Sequence, residues 1–274
     1  MTLYRGEVVY DDSNYKSLIG DGQRVAAAGE LRLLSAMPRP ANADTSGYSR
    51  KFGASRKVYP RSDWSAMIKE REERKARCSD YCDFPAYDQD GIPYCWNFGP
   101  VQAMHNKRRM QGLPTPVALS PASVGGPVTG YRARGGWEGE ALEYLAQHGA
   151  TTVDKWPQAS ISRQYATAEV EADRANYKAL EWDECETFDE FASALLDGDP
   201  SPVAYNWWRH VVYLCDLVEI EANSFGVRLR NSWHDNWGAK NELGFGGFAV
   251  GREGRYTPSS GFALREATSS VKGA

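Results

Sequence analysis

"DQDGIPYCWNFG", residues 88–99, sets a cysteine between a Gly/Pro loop and a helix-like run, with a tryptophan directly after it and a glutamine six residues before it. The run continues as "CWNFGPVQAMHNKRRMQG" (95–112). Phe98, Val101, Met104 and Ala103 follow helical spacing, and Gly112 stops it. Pro100 fits a helix only near its start, where amide groups lack intrahelical partners. A helix is therefore expected from about Cys95 to Met110, with Cys95 at or just before its N-terminus. There the free N–H groups and the helix dipole favour a thiolate. The alternative role for Cys95 is a buried structural thiol.

A thiol becomes a nucleophile when a base can take its proton and a third group holds that base. The chain has four histidines. His105 lies on the same helix as Cys95, nearly three turns on, and cannot reach it. His148 falls at a helix end, where a positive charge suits the dipole. His234 lies in a Trp/Gly loop. His210 starts a strand after "YNWWR", and Asn231 in "LRNSWHDNWG" ends the next strand of an expected hairpin. Histidine and asparagine on adjacent strands can hydrogen-bond through their side chains.

The rest of the chain supplies the frame. Its 274 residues suffice for one large domain or two lobes with their own cores. Net charge is −4, which gives no nucleic-acid or membrane-surface footprint. No stretch reaches the length of a membrane span, and the first residues have no apolar core behind a basic start, so no secretory signal is read. The five cysteines form no CxxC pair. Neither a disulfide framework nor a zinc ribbon is expected, and a reducing, intracellular compartment is. Cys78 and Cys82 can share a helix face, but no His or second Cys pair stands near to complete a metal site.

Residues 1–56 are expected as an extended arm or linker, because "PRPANADTSGYSRKFGASRK" (38–57) is rich in Pro, Gly, Ser and basic residues. Within it, "VAAAGELRLLSAM" (25–37) reads as a short helix or strand that docks elsewhere. "SDWSAMIKEREERKARC" (62–78) reads as a solvated helix capped by Ser62 or Asp63. Further helices are expected over 135–149 and 187–200. The latter carries a Thr187/Glu190 capping box and a Gly198, Pro200 stop. After Pro202 the pattern turns to strands: "VAYNWW", "HVVYLCDLVEIE", "FGVRLRNSW" and "GFGGFAVGR". Helices followed by an antiparallel sheet give an α+β, two-lobed class.

With these blocks in place, the chain resembles the papain-like family of cysteine peptidases. "QDGIPYCWNFG" is similar to that family's Gln-(x)5-Cys-Trp segment. "RARGGWEGEALEYLAQHGATTVDKWP" resembles its Gly-Gly segment, following helix and Tyr-Pro turn. "PVAYNWWRHVVYLCDLVEI" resembles its histidine strand, and "VRLRNSWHDNWGAKNELGFGGFAVGR" its Asn-Ser-Trp and Trp-Gly block. The resemblance implies a domain over 57–265, with a mainly helical lobe at about 85–175, a β lobe at about 176–265, a tail over 266–274 and the active site between the lobes.

It also implies roles. Cys95 would attack a peptide carbonyl, His210 would accept its proton and later protonate the leaving amine, and Asn231 would orient the imidazole. Gln89 and the Cys95 amide would form an oxyanion hole, each donor contributing about 3 kcal/mol. Trp233 would shield the Asn–His bond from water, and Trp96, directly after the nucleophile, would support the site from behind. Gly135 and Gly136 would let substrate backbone run close, and Trp137 would wall the adjacent specificity pocket. Substrates would be peptides or proteins; no metal, cofactor, nucleic acid or membrane enters. Arg134 and Glu138 flank this cleft and could select a charged side chain.

The family's usual disulfide is missing at both ends, with Ile92 and Ala133 in its places. The connection from "SPVAY" to His210 is short, as in bacterial and phage members. The arm does not resemble the helical inhibitory propeptide of secreted members. The competing reading is a papain fold that serves a larger assembly such as a phage virion. Its site would be idle or used once, and the arm would mediate self-association.

Overall fold

The computed structural model describes residues 2–18, 35–43, 49–114 and 118–268. A nine-stranded sheet runs through it in the order β1-β2-β8-β7-β6-β5-β9-β4-β3. The strands are β1 (Leu3–Tyr4), β2 (Glu7–Tyr10), β3 (Ser49–Lys51), β4 (Ala179–Glu184), β5 (Ser201–Tyr205), β6 (His210–Glu221), β7 (Ser224–Arg230), β8 (Phe248–Arg252) and β9 (Ser260–Ala267). From β8 through β4 every pairing is antiparallel. The α+β class follows.

Strand β6 shows how the sheet divides two cores. Side chains alternate across a strand. Val211, Tyr213 and Cys215 accordingly enter one apolar cluster, while Val212 and Leu214 enter the other, and a register shift after Leu214 turns Leu217 to that second side as well. The first cluster is built around the helix Cys95–Met110, with Trp96, Phe98, Val101 and Met104 fully buried. This helix, α3, has the bounds the sequence implies, and Pro100 sits in it at the sixth position. The second cluster is closed by α2 (Arg61–Glu73) and α7 (Phe188–Asp197).

Helix α7 matches its sequence signals. Thr187 Oγ1 accepts the Glu190 amide, Glu190 reaches back to the Thr187 amide, and Gly198 closes the end at φ +83. Helix α2 departs from them. It begins at Arg61 on Pro60, which supplies no side-chain cap, so Ser62 and Asp63 lie inside its first turn. Nor is it merely solvated. Trp64 and Ile68, four residues apart on one face, are buried in the second cluster. The helix expected over 135–149 spans Glu138–Gln147 (α5), and Trp137 before it is extended. The backbone at 135–137 thus stays outside the helix and forms an edge of the cleft. Three shorter helices are α1 (Phe52–Ser55), α4 (Ala122–Thr129) and α6 (Ala168–Arg174).

The described parts of the expected arm lie on the domain. β2 pairs parallel with β8 through Val9 and Val250, and β3 pairs parallel with β4 through Ser49 and Trp182. Val9 and Phe52 are fully buried. At the other end, Glu266 and Ala267 belong to β9 rather than to a tail, and residues 269–274 lie outside the described residues, as do 19–34 and 44–48.

Candidate active site

Helix α3 starts at Cys95, and Tyr94 before it offers no side-chain cap. The thiol therefore stands where the first backbone N–H groups are unpaired within the helix. It is fully buried. Its Sγ lies 3.2 Å from Ser35 Oγ. Burial pushes the Cys95 thiol up from its ordinary value, against the lowering influence of the Ser35 hydroxyl and of the backbone at Val211, Ser35 and Trp96. Val211 follows His210, so the thiol stands near the start of β6. The low thiol pKa expected at a helix start is thus reversed by desolvation in this closed arrangement.

The loop before α3 is shaped by left-handed residues at Asp90 (φ 41) and Gly91 (φ 73). Asp88 Oδ1 accepts the Asp90 amide at 3.1 Å, an Asx turn. The turn holds Gln89, whose amide donates to Ser232 O at 3.0 Å. The Gln89 side chain is buried; Nε2 donates to Ile92 O at 3.1 Å, and Oε1 accepts from Ser232 Oγ at 3.1 Å.

His210 and Asn231 come together as the hairpin implies. Tyr213 faces Arg230 on the β6/β7 ladder. One step further, Asn231 lies diagonal to His210 on the same face. His210 Nε2 and Asn231 Oδ1 are 2.7 Å apart, both side chains fully buried. Asn231 Oδ1 also accepts the Ser232 amide at 2.8 Å, which fixes it as the oxygen. Nε2 therefore carries a proton, which leaves Nδ1 as the nitrogen that can exchange one. The imidazole packs against both Trp208 and Trp233, each ring centroid 4.8 Å away. Trp233 itself is 1% exposed.

The glycines and their neighbours form the facing wall. A Cβ on Gly136 would fall 2.6 Å from the Trp96 ring, and one on Gly135 would fall 2.3 Å from Ser35 O. Trp96 Nε1 donates to Arg134 O at 3.4 Å behind this wall. Trp137 is buried and packs on Phe262 at 5.7 Å.

The remaining histidines stay apart. His105 stacks on Phe84 at 3.8 Å and meets Tyr87 Oη at 2.9 Å; burial lowers its pKa well below the ordinary value. His148 caps the end of α5, and His234 holds an exposed turn through the Asn236 amide. All five cysteines are free thiols, and among the described residues no group of three His, Cys, Asp or Glu could hold a metal. Among the same residues no helix is long and apolar enough to cross a membrane.

The feature that sequence reading missed is what fills the cleft. Residues 35–37 run between its walls. Ala36 N donates to Arg209 O at 3.0 Å, Met37 N to Gly136 O at 2.9 Å, and Gly136 N to Ser35 O at 3.3 Å. Ala36 and Gly136 form a parallel bridge. No motif marks these residues. Their one local signal is "MPRP", where Pro38 holds Met37 extended.

No known family model matches the sequence, and no curated protein matches it. Solved structures do. Xylellain, a cysteine protease from Xylella fastidiosa, aligns over 87% of this chain and 99% of its own, with TM-score 0.55 at 16% identity. Digestive procathepsin L 3 of Tenebrio molitor larval midgut aligns over 92% and 79%, with TM-score 0.55 at 13% identity. A mite-allergen structure from the comparison of Blo t 1 and Der p 1 aligns over 95% and 85%, with TM-score 0.57 at 15% identity. The fold is papain-like. Within this papain-like fold, α3 brings Cys95 to the sheet at the start of β6, and the hairpin brings His210 to Asn231. The Gly135–Gly136 edge faces them across the groove.

Proposed function

We propose that this chain is a papain-like cysteine peptidase whose groove is filled, in this conformation, by its own residues 35–37. The reading is carried by the 2.7 Å bond from His210 to Asn231, together with a helix-starting Cys95 whose thiol is influenced by the backbone of Val211, the residue after His210. With Nε2–H held by Asn231, Nδ1 takes the Cys95 proton, and the thiolate attacks a peptide carbonyl. The oxyanion is received by Gln89 Nε2 and the Cys95 amide. The imidazolium then protonates the leaving amine, and water releases the acyl group by the reverse route. Residues 35–37 do not present a bond for this reaction. The atom beside Sγ is the Ser35 hydroxyl, and the Ser35 carbonyl is engaged by Gly136.

The test is hydrolysis of a peptidyl aminocoumarin library, with thiol titration of Cys95. Cys95→Ala should abolish turnover. Asn231→Ala should weaken it without abolishing it, because Asn231 orients the base and transfers no proton. Equal loss in both folded variants would contradict the role given to Asn231. Absence of hydrolysis in wild type, even after residues 35–37 are loosened, would overturn the reading.

A further inference from the structure

Two residues beyond the strand in the groove, Arg39 turns back onto the cleft wall. Its guanidinium lies 5.6 Å from the Trp137 ring centroid and ion-pairs with Glu184. Nη2 also donates to Ala43 O at 3.2 Å. Glu184 stands across from Phe262 on the β4/β9 ladder, and Phe262 packs on Trp137. Lys51 shares Glu184 at 3.3 Å.

The next residue of the wall, Glu138, is fully buried. Its Oε1 accepts from Ser260 Oγ at 2.5 Å, while Oε2 has no hydrogen-bond partner. The positive charge of Arg39 acts on it. A buried carboxyl oxygen without a partner is costly unless something cationic or donating completes it. Here an aromatic face and a paired carboxylate hold a guanidinium supplied by the chain itself, and an incompletely satisfied carboxyl follows the aromatic residue in the same wall. Planar guanidinium stacks on indole and forks onto carboxylate, which a lysine ammonium does less well.

We propose that the recess walled by Trp137, Phe262, Glu138 and Glu184 is a subsite for a cationic peptide side chain, arginine above all, and that Arg39 fills it in place of substrate. The substrate part rests on the peptidase reading; the binding chemistry does not.

The test has two arms on the full chain. In the first, Arg39→Ala lowers the thermal midpoint, and ethylguanidinium at millimolar concentration restores most of the loss. Ethylammonium restores less, and the double variant Arg39→Ala/Glu184→Gln loses most of the response to both. In the second, a positional-scanning peptidyl aminocoumarin library is hydrolysed by wild type and by Glu138→Gln. One position should prefer Arg over Leu by about tenfold or more in kcat/KM, with Lys between, and the ratio should fall towards one in Glu138→Gln. An Arg-to-Leu ratio near one at every position overturns the subsite, while continued hydrolysis leaves the peptidase reading standing. Guanidinium rescue with no hydrolysis of any member keeps the subsite and overturns the peptidase reading. Loss of both signals overturns both. If Arg39→Ala fails to fold, the library arm decides alone.

Discussion

Ala36→Pro tests the strand in the groove with one atom's worth of chemistry. Ala36 N is the donor that joins residues 35–37 to the His210 side of the cleft, through Arg209 O at 3.0 Å. Proline has no N–H, so this bond is lost and the Arg209 carbonyl loses its partner. The loss is about 1–2 kcal/mol. The bonds to Gly136 and the Ser35–Cys95 contact sit on neighbouring residues and are not removed directly. If Cys95 reacts only when the strand lifts, its reaction rate follows the open population. That population should rise about 5- to 30-fold. Opening also lets water reach a thiol that burial now holds above its ordinary pKa, so the thiolate fraction at pH 8 rises in the same direction. The assay is brief alkylation with limiting iodoacetamide, quantified by peptide mass spectrometry. Cys185, 1% exposed in the other core, serves as the reporter of global unfolding. Selective acceleration at Cys95 is expected. No change within about twofold, or parallel acceleration at Cys185, would refute the reasoning.

Gln89→Ala should lower kcat by roughly 10- to 1000-fold while iodoacetamide labelling of Cys95 stays near wild type, because alkylation forms no oxyanion. Parallel loss in both reactions would make Gln89 a prop for the loop instead. Glu138 offers a pH test. Burial pushes its carboxyl up from 4.5 to about 7. The folded state therefore holds this proton more tightly than the unfolded chain. The stabilising contribution is complete below about pH 4.5 and is lost as pH rises through about 7. Glu138→Gln stays neutral throughout, so it should gain on wild type by roughly 3 kcal/mol between pH 4.5 and 8. Urea unfolding at both pH values checks this, and a constant difference would refute it.

Much of the site was readable because its chemistry is local in sequence. The Gly/Pro loop and Pro100 together fix where α3 can start, and that start carries Cys95. A hairpin with a short turn fixes which residues of β6 and β7 share a face, which brings His210 to Asn231. The capping box of α7 is likewise contained in four residues. What escaped was non-local. The strands β2 and β3 are short and unpatterned, and their places in the sheet come from partners more than a hundred residues away. The pairing of 35–37 with Gly136 and Arg209 leaves no periodic trace, because only backbone atoms bond. The Cys95 pKa was misread for the same reason: helix position is visible in sequence, and desolvation by a distant segment is not. In α2 the Trp64–Ile68 spacing was present but outweighed by the surrounding charges.

Residues 35–37 lie in the chain between two strands that are each zipped into the sheet, β2 against β8 and β3 against β4. Residues 35–37, once lifted from the groove, therefore stay tethered on both sides. Their return is unimolecular, and dilution does not slow it. A peptide from outside competes against a tethered rival whose effective concentration is of the order of millimolar. Ordinary substrate levels would then give slow, lag-prone turnover even from a fully competent site. A single backbone cut beside these residues would cure the lag without any fragment being released.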